Sequence, residues 1–143
     1  MNPIGLPDPD RSPGKTVVIY DGQCRICAGQ MRTLARLDLT GRLTYLSLHD
    51  PRVRDRCPDL SFDQLMARMY ALAPDGARHA GPNAVRWICA RLPVLWPLAA
   101  LLALPGIRTL WDRTYPWIAE QRYRFGRTQC AEGTCALPRR QSD

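Results

Sequence analysis

The sequence predicts an α/β domain built on a mixed sheet with an added C-terminal helical region, and three observations carry that expectation. The β-branched run Val17-Val18-Ile19 ends at the turn Asp21-Gly22 and leads into an amphipathic segment, the order of a strand feeding a helix. A second strand-like run, 43–48, lies beyond that helix, so the two strands are expected to be parallel neighbours joined by a right-handed crossover. From Asn83 onward the chain turns helical and strongly apolar.

Each element has its local reason. The first strand, 16–20, is wholly apolar but for Thr16 and Tyr20. The first helix, 24–38, places Cys27, Met31 and Leu34 on one face and Arg25, Arg32 and Arg36 on the other, and the Thr40-Gly41 turn ends it. Segment 49–60, with Pro51 and Pro58, reads as a loop holding at most a short helical turn. Segments 66–73 and 78–80 flank Pro74-Asp75-Gly76 and read as a β-hairpin, which puts ββ after βαβ, a glutaredoxin-like order of elements. Val85, Ile88, Cys89 and Leu92 share a helical face that Pro93 terminates. The apolar stretch 92–107 contains Pro93, Pro97 and Pro105 and falls short of the ~20 residues of a spanning helix, so it reads as a buried or interfacial helical hairpin with possible peripheral membrane contact. Trp87, Trp96, Trp111 and Trp117 are expected to serve packing, although their rings also suit a bilayer interface. The last helix, 108–125, is expected to kink or restart at Pro116 and to stop at Gly126.

The chemistry concentrates in Asp21-Gly22-Gln23-Cys24-Arg25-Ile26-Cys27. Thiolate is the reactive form of cysteine, and a helix N-terminus offers unpaired N–H groups and positive potential to hold it, with Arg25 adding a full charge. Spacing puts Cys24 in the first turn, where solvent can enter, and makes it the candidate for attack on an external disulfide. Cys27, on the core face, is the candidate to resolve the mixed disulfide. The competing readings are two ordinary buried cysteines or half of a zinc site. Asp21 has two open roles: a cap at the start of the helix, or a proton acceptor for Cys27.

The residues YDGQCRIC, with the strand-like run 42–48, the segment Gly81-Pro82-Asn83-Ala84 and the ending Arg122-Tyr123-Arg124-Phe125-Gly126 followed by Cys130, resemble the DCC family, named for its Asp-Cys-Cys set. The resemblance runs from about residue 16 to 138. It implies a thiol–disulfide oxidoreductase with a thioredoxin-like fold, in which Asp21, Cys24 and Cys27 are the signature residues. One departure concerns the proline that thioredoxin relatives carry before the third strand, which 61–65 lacks.

Composition bounds the rest. The chain has 143 residues, 45% of them hydrophobic, and fits one domain at 16–126 with a disordered N-terminal tail, 1–15, and a cysteine-containing tail, 127–143. The absence of an apolar run at the N-terminus, together with the helix-rich pattern, gives the expectation of a cytoplasmic protein whose cysteines are mostly free thiols. The net charge is +7 and Lys15 is the sole lysine among 20 basic residues. The arginines are scattered from Arg11 to Arg140, which argues against nucleic-acid binding. His49 and His79 look too isolated for a metal or a catalytic dyad, and no G-x-G-x-x-G, P-loop or G-x-S-x-G motif is present.

Cys130 and Cys135 form a second pair with three readings. They are a tail disulfide or free thiols, a shuttle that attacks the Cys24–Cys27 disulfide, or partners of Cys24 and Cys27 in a structural or carrier zinc site. Arg122 and Arg124 either complement the end of the last helix or bring positive charge towards Cys24. The expected function is therefore dithiol–disulfide exchange with a protein or low-molecular-weight thiol partner and no bound cofactor.

Overall fold

A computed structural model describes residues 5–125, with side chains through residue 121. The element order is β1 (Thr16–Tyr20), α1 (Arg25–Leu37), β2 (Leu43–Ser47), α2 (Arg52–Arg56), α3 (Phe62–Ala67), β3 (Tyr70–Leu72), β4 (Arg78–Ala80), α4 (Pro82–Arg91), α5 (Trp96–Ala103) and α6 (Pro105–Phe125). The sheet runs β2-β1-β3-β4, with β1 and β2 parallel and the pairs β1/β3 and β3/β4 antiparallel. This is a thioredoxin-like α/β architecture with C-terminal helices.

β1 is central, paired on both sides, and all five of its residues are buried. Its alternation sorts the core into two layers. Val18 and Tyr20 face α1 and α4 in a cluster with Cys24, Cys27, Met31, Tyr45 and Ile88. Val17 and Ile19 face the other way and join Leu46, Leu48, Val53, Cys57 and Leu65 from β2 through α3. The site at the end of β1 thus rests on a strand packed on both faces.

The N-terminal segment differs from its expected disorder over residues 5–15. The Tyr45 amide of edge strand β2 donates to the Pro7 carbonyl at 2.9 Å, Leu6 joins the core, and Asp8 caps a short 3-10 turn, Pro9–Arg11. Arg52 locks this segment down: its two terminal nitrogens reach the two Asp8 oxygens at 3.1 Å each, and it also binds Asp50 and Asp10. An edge strand needs cover, and a proline-rich segment supplies carbonyls without extending the sheet.

Three boundaries also shift. Met66 and Ala67, expected to begin a strand, end α3, because Ser61 and Gln64 close a capping box whose side chains accept each other's backbone N–H. α6 begins at Pro105 rather than 108 and runs through Pro116 without restarting. A proline deletes one helical hydrogen bond, and packing of α6 on neighbouring elements offsets it: Ala119 is buried and the Tyr115 hydroxyl accepts the Met69 amide. No single described helix is long and apolar enough to cross a membrane.

The Arg52 cluster gives a first prediction. Hydrogen bonds from Arg52 hold the Asp8 and Asp50 carboxyls below their usual range, so both release protons more readily in the folded chain than in the unfolded one. Their stabilisation is complete above the unfolded value of ~3.9 and is lost as pH falls through the folded values. Arg52→Met is expected to lower stability at pH 7 by about 1–3 kcal/mol, to flatten the acid limb below about pH 4, and to speed exchange of the Tyr45 amide. An unchanged melting temperature with unchanged amide protection would show that the segment is not held by Arg52.

Candidate functional site

β1 delivers the chain to Asp21, and the turn to α1 is closed by the Cys24 amide donating to the Asp21 carbonyl at 3.3 Å. Cys24 is the N-cap of α1, in extended backbone geometry, and its sulfur accepts the Cys27 amide at 3.3 Å in the role that a serine or aspartate oxygen usually fills. The two sulfurs lie 2.7 Å apart. The Cys24 sulfur takes the Cys27 amide at the start of the helix, so the two thiols are placed unequally by the cap.

Burial departs from the expectation that Cys24 is the open thiol. Cys24 is 3% exposed and Cys27 4%. The cap geometry folds the Cys24 side chain back over its own helix, into the core cluster with Leu6, Tyr20 and Met31, while Arg25 and Ile26 between the thiols stay exposed. Turn position alone does not reveal which way a side chain folds.

Asp21 is 8% exposed, and its Oδ1 accepts the Gln23 amide at 3.0 Å and lies 3.0 Å from His49 Nε2. It supports the turn, but it is not the helix cap. His49, set aside in the sequence as isolated, is the functional neighbour that sequence reasoning missed. The signal was the strand pairing: Tyr20 stands opposite Ser47 in parallel register, so residues just past the two strand ends must meet. Gly22 sits in the same crowd, where an added Cβ would stand 2.5 Å from Ser47 Oγ and 3.0 Å from Ser47 Cβ. Gly22→Ala is expected to destabilise by about 1–3 kcal/mol and to loosen the Asp21–His49 contact, and Ser47→Gly in the same chain to restore both. Additive losses in thermal unfolding of the double variant would rule out this clash.

One small pocket adjoins Cys27, and a larger groove begins at Ile26 between the thiols. A pocket of about 20 Å³, the room of one water, touches Asp21, Cys27, Gln30 and Arg68. An apolar groove of about 430 Å³ runs between α1, α4 and α6, with Ile26, Met31, Met69 and Trp111 among its walls.

The family model for DCC1-like thiol-disulfide oxidoreductase matches residues 18–128. The chain belongs to the DCC1-like thiol-disulfide oxidoreductase family. No curated protein matches it, and no solved structure does. The matched span takes in β1 from Val18, the Asp21-Cys24-Cys27 set and α1 through α6, so the family assignment covers the site and its scaffold alike.

The other described cysteines fall elsewhere. Cys57 is buried in the second layer and Cys89, also buried, lies in the wall of the apolar groove; burial pushes both thiols above their ordinary range. Cys130 and Cys135, with Gly126, lie outside the described residues, as do the side chains of Arg122 and Arg124. Among the described residues no cluster of three or more His, Cys, Asp or Glu side chains is placed to hold a metal ion. The four-cysteine zinc set therefore has only Cys24 and Cys27 within the described part.

Proposed function

We propose that this DCC1-like protein exchanges a dithiol for a disulfide, with Cys24 as nucleophile, Cys27 as resolving thiol and Asp21 as proton acceptor. The observation that supports this most is the 2.7 Å approach of the Cys27 thiol to a Cys24 sulfur that caps a helix. The Cys24 thiolate attacks one sulfur of a substrate disulfide, forming a Cys24–substrate disulfide and expelling the other substrate sulfur as thiolate. Cys27 then loses its proton and attacks the Cys24 sulfur. The Cys24–Cys27 disulfide forms, the second substrate thiolate leaves, and the substrate has gained two electrons. An external dithiol reverses the sequence to regenerate the enzyme.

Asp21 and Cys27 line the same water-sized pocket, so one water there carries the Cys27 proton to the carboxylate. His49 is a positioning residue that holds Asp21 Oδ1. Because both thiols are buried, reaction requires the substrate to displace the cap turn, and the apolar groove beginning at Ile26 offers contact for a hydrophobic side chain beside the reacting disulfide. Native mass spectrometry with and without thiol alkylation tests the reading. Mild oxidation is expected to remove two protons and to protect Cys24 and Cys27 from alkylation after unfolding; a protein whose two thiols both alkylate in the unfolded chain after oxidation does not perform this exchange.

A further inference from the structure

α5 is an eight-residue helix of sequence WPLAALLA in which Leu102 alone is buried. A wholly apolar helix normally sits in a core or in lipid. Here Trp96 is 60% exposed and Leu104 52%, with Val94, Leu98 and Leu101 also open, and the surface continues into α6 at Leu110, 62% exposed. The Trp96 indole N–H is taken by the Ala90 carbonyl at 3.2 Å, so its outward portion is hydrocarbon. This is a contiguous run of large apolar side chains of the kind that monomeric proteins rarely leave in water.

Charge identifies the occupant. No aspartate or glutamate occurs between Asp75 and Asp112, whereas Arg78, Arg86, Arg91 and Arg108 lie in that interval and Arg113 just beyond it. Arg78 and Arg86 pair with Asp59 and Asp112 and Arg91 lies over the Trp87 ring, so the positive charge left for a partner is that of Arg108 and Arg113, which make no ion pair among the described residues. An apolar helix with indole at one end, flanked by arginine and free of acid, is complementary to the headgroup and upper acyl region of an anionic bilayer.

Geometry fixes the mode. α4 followed by the 93–103 segment is apolar enough to be considered as a broken span, but it bends by 117°. The apolar side chains Ala84, Ile88 and Cys89 of α4 are already committed to the protein core. α5 alone is about 12 Å long against a hydrocarbon thickness of about 30 Å.

We propose that α5 and its turn into α6 dock flat on an anionic membrane surface, with Trp96, Leu98, Leu101 and Leu104 inserted and Arg108 at the headgroups. The surface is separate from the thiols, and its docking does not depend on their chemistry. The test is flotation of the full chain with phosphatidylglycerol vesicles and with phosphatidylcholine vesicles, read together with tryptophan emission. Binding is expected to phosphatidylglycerol, with a blue shift, and to weaken in salt and on phosphatidylcholine. Trp96→Glu and Leu101→Glu are each expected to reduce partitioning about tenfold or more while the fold holds, because Trp96 is 60% exposed and Leu101 47%. Arg108→Glu is expected to weaken binding at low salt only. Absence of binding to phosphatidylglycerol vesicles, or binding that survives both glutamate variants, overturns the proposal. So does a dimer in sedimentation that those variants convert to monomer, since the face would then join two copies of the chain.

Discussion

Cys24→Ser is expected to abolish disulfide exchange, with turnover falling by about 10³-fold or more, because serine keeps the helix cap but supplies no thiolate. Cys27→Ser has a different expected outcome: the first step proceeds and a Cys24–substrate mixed disulfide accumulates, visible as a covalent adduct on a non-reducing gel. The expected asymmetry rests on the start of the helix, where the Cys24 sulfur accepts the Cys27 amide. Reversed behaviour, with trapping in Cys24→Ser, would exchange the two roles. Equal burial removes solvent exposure as the distinguishing factor, so both thiols of the folded, reduced protein are expected to alkylate slowly and to react at ordinary rates once the chain is unfolded.

Asp21→Asn is expected to slow the resolving step by about 10²-fold or more while sparing the fold. Asparagine keeps an Oδ1 to accept the Gln23 amide, so the turn survives, but it cannot take up the proton that Cys27 must lose. The lifetime of the mixed disulfide measures this directly, and the pH dependence of resolution should change shape in the variant. His49→Gln, which retains a donor for Asp21, should restore most of the rate that His49→Leu loses. A resolving rate indifferent to Asp21→Asn would reduce that residue to a turn support and return proton transfer to solvent.

The order of strands and helices was legible in the sequence because each element carries its own periodicity. β1 reads as a strand from Val17-Val18-Ile19, and α1 as a helix from Cys27, Met31 and Leu34; the parallel pairing of β1 with β2 follows from the helix between them. α3 was also written locally, in the Ser61 and Gln64 capping pair, but the apolar residues from Met66 onward read as strand and masked it.

By itself the sequence determined where the Asp-Cys-Cys set sits: Asp21, Cys24 and Cys27 stand at a strand-to-helix turn because a β-branched run, an Asp-Gly turn and an amphipathic segment follow one another. Tertiary structure alone decided that His49 holds Asp21, that Arg52 fastens residues 5–15 over β2, and that both thiols are covered. The physical reason is one of range. Hydrophobic period and capping residues act within a few positions and specify local conformation, whereas the separations of 28 positions from Asp21 to His49, and of 44 from Asp8 to Arg52, are bridged only when strand pairing and core burial select one register for the whole sheet.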